Sequence, residues 1–122
     1  MILVDTSVWV DHLRSGNSEL SHLLNAAQVL MHPMIIGELA CGNLRNRDLL
    51  ISLWQTLSPI TEASHAETLT LLNTNSLMGK GIGFIDLHLL TSVLLTPGTL
   101  LWTMDRRLNN IAQTRSVSFA KH

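Results

Sequence analysis

The sequence is poor in several residue types, and each shortage excludes a class of protein. Its single cysteine excludes an internal disulfide framework and fits a reducing compartment. The absence of tyrosine and the presence of only two phenylalanines argue against an aromatic surface that stacks single-stranded bases. No apolar run approaches the roughly 20 residues that span a bilayer, and residues 1–4 lack the basic start of a signal peptide. We therefore expect a cytoplasmic protein.

Charge is also scarce and is balanced. The 122 residues carry a formal net charge of -1, so the chain has no global basic field, and any nucleic acid must be held by local cations. A hydrophobic content of 46% with 14% charged residues is typical of a globular protein with a substantial core. The length predicts a single domain over residues 1–122.

The pattern along the chain alternates short apolar runs with helical periodicity. Strands are predicted at about 2–5, 28–31, 99–103 and 116–119. Helices are predicted at about 8–13, 18–27, 33–42, 46–57, 62–78, 85–95 and 106–113, with Thr6-Ser7 as the cap of the first. Strands separated by helices predict an α/β fold with a parallel sheet covered by helices on both faces.

Four carboxylates stand within apolar stretches or at the end of one, namely Asp5, Glu38, Asp86 and Asp105. The chain has only nine acids, so nearly half of them occupy positions where an ionised group is costly. Those stretches contain too few cations to pair with all four acids. The simplest explanation is that the four carboxylates converge on a divalent cation.

The predicted elements would bring these acids together. Asp5 and Asp105 each follow a strand, and the carboxyl ends of parallel strands meet at one edge of a sheet, where sites form. Helical spacing predicts that Glu38 and Asp86 face inward on their helices. Each acid alone could instead be a helix cap, a first-turn acid or a paired core acid. The prediction of a site therefore depends on the set.

A set of oxygen ligands selects a hard cation, Mg²⁺ or Mn²⁺, over zinc. Such an ion lowers the pKa of a water molecule and polarises a phosphoryl oxygen, which is the chemistry of phosphodiester hydrolysis. Thr6, Ser7 and Thr103 supply hydroxyls nearby that can fix a carboxylate or a water molecule. Arg106 and Arg107, next to Asp105, are candidates for binding RNA phosphates.

At these residues the chain resembles the PIN-domain ribonucleases, and among them the VapC-type toxins of toxin–antitoxin modules. The matching segments run from one end of the chain to the other in the order of the family. They are Leu3-Val4-Asp5-Thr6-Ser7-Val8-Trp9, Ile36-Gly37-Glu38-Leu39-Ala40, Gly81-Ile82-Gly83-Phe84-Ile85-Asp86-Leu87-His88-Leu89-Leu90 and Thr103-Met104-Asp105-Arg106-Arg107-Leu108.

The resemblance implies a three-layer α/β/α PIN-like domain and a metal-dependent endoribonuclease that acts by metal-activated water. Such a protein would be the toxin of a type II toxin–antitoxin system, commonly a homodimer silenced by a cognate antitoxin. By the same resemblance the catalytic quartet is Asp5, Glu38, Asp86 and Asp105. Asp5 and Asp86 would bind Mg²⁺ or Mn²⁺ directly, while Glu38 and Asp105 would support them or hold a second ion. Arg106-Arg107 stand where many relatives have a polar or acidic residue, so the number of ions, one or two, stays open.

Two other functions fit parts of the pattern. A phosphatase that forms an aspartyl-phosphate also places an Asp after its first strand, but it needs a second Asp two residues later, where this chain has Ser7. A PIN-like scaffold that binds RNA or protein without cleavage would explain the fold and would have no use for four costly acids. The residues do not identify the target RNA, nor do they distinguish RNA from DNA as the substrate.

Overall fold

Four parallel strands form the centre of the computed structural model, which describes residues 1–119. They are β1 (Ile2–Val4), β2 (Val29–Met31), β3 (Ser58–Pro59) and β4 (Leu100–Trp102), in the order β3-β2-β1-β4. Within the sheet Ile2 is in register with Val29 on one side and with Leu100 on the other. The predicted α/β fold with a parallel sheet is confirmed. The last three residues of the predicted domain, 120–122, lie outside the described residues.

Seven helices connect these strands in the described part of the chain. They are α1 (Thr6–Ser15), α2 (Ser18–Asn25), α3 (Pro33–Ala40), α4 (Arg47–Gln55), α5 (His65–Thr74), α6 (Phe84–Leu94) and α7 (Arg106–Thr114). All seven were predicted, with ends that differ by a few residues. None of the helices in residues 1–119 is long and apolar enough to cross a membrane.

The strand order creates a switch point between β1 and β4. From β1 the chain moves to β2 and β3 on one side, and it then crosses back to β4 on the other side of β1. Because such crossovers are right-handed, the helices between β1 and β3 cover one face and those between β3 and β4 cover the other. Ligands of open parallel sheets bind outside the carboxyl ends of the strands at such a point. The residues after β1 and β4 are therefore the first place to look for a site.

Two local differences from the prediction have clear causes. The predicted helix 62–78 is shorter because Ser64 and Glu67 form a reciprocal capping box that sets the start of α5 at His65. The two-residue strand β3 was not predicted, since it contains Pro59 and lies at the sheet edge, where a missing N–H is tolerated. The predicted strand 116–119 is a single parallel bridge between Leu101 and Ser118.

The core forms around the central strand and two tryptophans. All three residues of β1 are buried, as expected for a parallel strand covered on both faces. Trp9 and Trp54 pack edge to face, with ring centroids 5.9 Å apart, and join α1 to α4. All three tryptophans are buried, whereas Cys41 is exposed at the end of α3.

Candidate active site

Asp5 lies directly after β1 and is the most buried of the four candidate acids, with 4% of its surface exposed. It is the N-cap of α1, and its Oδ1 accepts hydrogen bonds from the backbone N–H of Ser7 (3.0 Å) and of Val8 (3.4 Å). The predicted cap Thr6-Ser7 is therefore wrong by one residue, because the carboxylate of Asp5 satisfies the free N–H groups of the first turn. Burial raises the pKa of Asp5 even though these hydrogen bonds act in the opposite direction.

Ser7 joins the chain after β1 to the chain after β4. Its hydroxyl donates to Oδ1 of Asp5 (2.5 Å) and accepts from the backbone N–H of Met104 (2.9 Å). On the β4 side, Thr103 Oγ1 accepts from the N–H of Asp105 (3.0 Å), and Oδ1 of Asp105 caps α7 through Leu108 N (2.9 Å). The predicted supporting hydroxyls of Ser7 and Thr103 thus fix the positions of two candidate acids.

Glu38 reaches the same place from α3, but not as predicted. Its Oε1 accepts a hydrogen bond from the hydroxyl of Thr6 at 2.6 Å. The side chain is exposed, so the prediction that Glu38 faces the core is wrong. The buried residues of α3 are Ile35 and Leu39, and Glu38 is turned about 100° from Leu39 around the helix. This orientation keeps the carboxylate solvated while Thr6 fixes it beside Asp5.

Asp86 lies in the first turn of α6 and is half-buried. Its pKa is raised from 3.8 to about 6, mainly by burial, and further by the negative charges of Asp5, Glu38 and Asp105. All three remaining candidate acids therefore lie close enough to affect its ionisation. The structure brings the four acids together, as the sequence predicts, at the switch point of the sheet.

The four acids are less uniformly buried than the sequence suggested. Only Asp5 is fully buried, while Glu38 and Asp105 are exposed, so the expectation of four costly buried acids is wrong. The cost falls instead on Asp5 and Asp86, because burial raises the pKa of both, and the negative charges of the other three acids raise the pKa of Asp86 further. Within the described residues, each resolved influence on Asp86 raises its pKa and none is a positive charge. A divalent cation would supply the missing positive charge.

The donor set fits a hydrated cation better than a closed metal cage. In residues 1–119 no group of three or more His, Cys, Asp or Glu side chains is placed to hold a metal ion. A structural zinc site needs four such ligands and a catalytic one needs three. Mg²⁺, by contrast, usually takes one or two carboxylates and keeps several waters. The oxygen-only chemistry of Asp5 and Asp86 is compatible with Mg²⁺ or Mn²⁺ in that form.

Comparison with known proteins agrees with this geometry. Ribonuclease VapC32 of Mycobacterium tuberculosis, from strain CDC 1551 / Oshkosh and from strain ATCC 25618 / H37Rv, is 40% identical to this chain over 121 residues. The match covers 99% of this chain and 98% of each relative. The chain belongs to the VapC family of PIN-domain ribonucleases. No protein-family model matches it. The full-length match confirms the resemblance found in the four sequence segments.

In this member of the VapC family, the two candidate RNA-binding arginines differ in their surroundings. Arg106 and Arg107 are both exposed in the first turn of α7, immediately after Asp105. Arg107 lies against the backbone of Gly81, in the loop before α6, so closely that a Cβ atom at Gly81 would be 2.7 Å from its Nη1. The sequence contains both the arginine pair and the loop at residues 79–83, here called the glycine-rich loop, but it does not reveal their contact.

Two buried histidines near the acids were not predicted as a feature of this VapC-family site. His32 follows β2 and caps α3, since its Nδ1 accepts from the N–H of Met34 at 3.1 Å. Burial lowers the pKa of His32; the charge of Glu62 acts in the opposite direction, and His88 has a smaller lowering effect. His88, two residues after Asp86, is 6% exposed. The placement of His32 directly before Pro33 is the one sequence signal for its capping role.

Proposed function

We propose that this protein is a Mg²⁺- or Mn²⁺-dependent endoribonuclease and the toxin of a type II toxin–antitoxin pair. The observation that carries the proposal is the rise in the pKa of Asp86 to about 6 under the influence of Asp5, Glu38 and Asp105. This places four acids of a VapC-family chain in one electrostatic cluster at the switch point. Such a cluster has a clear use in binding a cation for phosphodiester hydrolysis.

Each residue of the cluster has a proposed role. Asp5 and Asp86 would hold the cation, and Glu38 and Asp105 would complete the negative field around it or hold a second ion. When bound, the cation would supply positive charge to the reacting phosphoryl group and would lower the pKa of a water molecule. The residues of the chain would position the cation, balance its charge and hold the carboxylates in fixed orientations.

The hydroxyls determine how precisely the acids are placed. Ser7 holds Asp5 Oδ1 in a single orientation and joins it to the loop after β4. Thr6 does the same for Glu38. The pKa of Asp86 is raised to about 6, so at lower pH this acid would release a proton as the site gains positive charge. Side chains held by such hydrogen bonds lose less entropy when they bind a ligand.

We further propose that a cognate antitoxin and a second copy of this chain are the protein partners. The support is a set of exposed leucines on α1 and α4. Leu49, Leu53 and Leu13 are 59%, 52% and 40% exposed, and a cleft of about 330 Å³ lies beside them between α1 and α4. Native mass spectrometry of the protein alone should give a dimer, and co-expression with the antitoxin should give a hetero-complex. A monomer in both samples would refute this part of the proposal.

The test of the nuclease is cleavage of total cellular RNA by purified protein with Mg²⁺, with Mn²⁺ and with EDTA. We expect discrete fragments that need a divalent cation and that disappear with Asp5→Asn. Asp48→Asn is the matched control, because Asp48 is an exposed first-turn acid of α4 that is not among the acids acting on Asp86. Cleavage by Asp5→Asn at the wild-type rate would refute the assignment of Asp5.

The second candidate function is a PIN-like scaffold that binds RNA or protein without cleavage. The observation that favours it is the absence, in residues 1–119, of a ready group of three metal-binding side chains. Folded, antitoxin-free protein that binds RNA but does not cleave it with any divalent cation would support this function over the nuclease. The structure does not favour the phosphatase alternative, because Ser7, which stands in place of the second Asp, donates a hydrogen bond from its hydroxyl to Asp5.

A further inference from the structure

A cleft of about 360 Å³ lies between the glycine-rich loop and α7, next to the acids. Its walls are Leu77 and Lys80 on the loop side and Arg107, Asn110, Ile111 and Thr114 on α7. The four α7 residues recur at intervals of three, one and three, so they form one face of the helix. The cleft begins at the turn that follows Asp105 and runs along α7 away from the acids.

The charge of this cleft is opposite to that of the acid cluster. Lys80 and Arg107 are two of the eight basic residues of a chain whose net charge is -1, and none of the six lining residues is acidic. Asn110 and Thr114 add a side-chain amide and a hydroxyl. The lining therefore combines two cations, polar groups and the apolar side chains of Leu77 and Ile111. This combination suits a nucleotide, which has an anionic phosphate, a polar sugar and a flat apolar base.

The contact with Gly81 restricts where the Arg107 guanidinium can go. A Cβ atom at Gly81 would lie 2.7 Å from Nη1 of Arg107 and 3.0 Å from its Cδ and Cζ, so the arginine occupies space that only glycine leaves free. Gly81 also has a φ of +75°, which side chains other than glycine rarely adopt. An arginine held against the backbone loses less freedom when it binds a phosphate than a freely moving one. Arg106 does not line the cleft.

We propose that this cleft is a subsite for a nucleotide of the RNA substrate adjacent to the one that is cleaved. Arg107 binds its phosphate in an orientation set by Gly81, and Lys80 supplies a second positive charge. The position follows from the chain, because Lys80 and Gly81 lead into the helix of Asp86 and Arg107 follows Asp105 by two residues. The inference rests on the proposed nuclease function. Of the two candidate RNA-binding arginines, Arg106 and Arg107, it assigns phosphate binding in this cleft to Arg107 alone.

The glycine-rich loop offers a matched pair of variants. Gly79 and Gly81 have nearly the same φ, +73° and +75°, so alanine brings similar backbone strain at either position. Only at Gly81 would the new Cβ displace Arg107, since nothing lies within 4 Å of a Cβ at Gly79. We expect Gly81→Ala to raise the KM for RNA by about 10- to 100-fold, as for loss of a hydrogen bond to a charged group. Gly79→Ala should leave KM within about 2-fold of wild type.

A second pair tests the charge directly and does not depend on the loop. Arg107→Gln removes the proposed phosphate ligand, and Arg14→Gln removes an exposed charge from the last turn of α1, at the other end of that helix from Asp5. Affinity for single-stranded RNA falls as the salt concentration rises, and loss of one phosphate contact makes the slope of log affinity against log salt shallower by about 0.7. We expect this reduction with Arg107→Gln and Gly81→Ala and not with Arg14→Gln.

Cleavage kinetics with Mg²⁺ and binding of a fluorescent single-stranded RNA in EDTA together separate this inference from the nuclease proposal. If the wild-type protein cleaves RNA, and if Gly81→Ala, Gly79→Ala and Arg107→Gln all have its KM and its salt dependence, the subsite is wrong and the nuclease proposal stands. Absence of wild-type cleavage would overturn the nuclease, and the binding assay would then decide the subsite by the same comparison. Absence of both cleavage and binding would overturn both.

Discussion

The ionisation of Asp86 makes a quantitative prediction about stability. Its pKa is about 6 in the folded protein and near 3.8 when the group is unperturbed, so the folded state keeps a proton that the unfolded state has lost. The free energy of unfolding should therefore fall as pH rises from about 4 to about 6, and the full penalty should remain above that window. An acid stabilised by a salt bridge behaves in the opposite way, since it makes the free energy of unfolding rise with pH.

The size of the penalty follows from the shift. At 1.36 kcal/mol per pKa unit, a rise from 3.8 to about 6 corresponds to about 3 kcal/mol. Because Asp86 is only half-buried and its repulsion from Glu38 and Asp105 is screened by water, about 1–2 kcal/mol should remain. Replacing Asp86 by asparagine removes the charge with little change of shape. In EDTA, Asp86→Asn should therefore be more stable than wild type by about 1–2 kcal/mol at about pH 7.5 and equal to it at about pH 4.

Urea unfolding followed by tryptophan fluorescence across this pH range measures the difference. Asp48→Asn is the control, since Asp48 is exposed and should change the free energy of unfolding by no more than about 0.5 kcal/mol at any pH. A gain from Asp86→Asn that is the same at every pH, or no gain, would refute the raised pKa of Asp86 and the penalty calculated from it. Added Mg²⁺ should stabilise wild type and should stabilise Asp86→Asn much less.

Three further predictions concern the side chains around Asp86. Asp5→Asn keeps the capping oxygen but removes a buried charge, so its melting temperature in EDTA should rise, while its cleavage of RNA in Mg²⁺ should be lost. Ser7→Ala removes the bridge between Asp5 and Met104 and should lower the free energy of unfolding by about 1–3 kcal/mol in urea titrations. Thr6→Ala releases the exposed Glu38, so kcat should fall in RNA cleavage while stability changes by less than about 1 kcal/mol. The first prediction is contradicted by an unchanged melting temperature of Asp5→Asn, the second by an unchanged unfolding midpoint of Ser7→Ala, and the third by an unchanged kcat of Thr6→Ala.

The sequence predicts the fold well because local patterns and the fold agree. The continuous apolar run of β1 and the alternation of strands with helices indicate a parallel sheet, and the structure has one. The helix ends are less well predicted, because they depend on individual hydrogen bonds such as the Ser64–Glu67 capping box. The strand β3 could not be predicted, since its two residues have no periodicity and pair with β2 only after the sheet has formed.

The site is predicted as a set of residues but not in its physical detail. Asp5, Glu38, Asp86 and Asp105 come together as expected, yet they are not uniformly buried, since Asp5 is buried, Asp86 is half-buried and Glu38 and Asp105 are exposed. The inward orientation expected for Glu38 failed because apolar neighbours at helical spacing do not show which of two adjacent faces is buried. The Gly81–Arg107 contact lies between distant parts of the chain, so no local pattern reveals it.

The central claim is that the four acids act as one site for a divalent cation. Calorimetric titration of the purified protein with Mn²⁺ at about pH 6, where Asp86 is half-protonated, tests it most directly. The account predicts binding with release of protons, loss of that binding in Asp86→Asn, and RNA cleavage that saturates over the same range of Mn²⁺. Equal Mn²⁺ affinity in wild type and Asp86→Asn, or cleavage by protein that binds no cation, would contradict it.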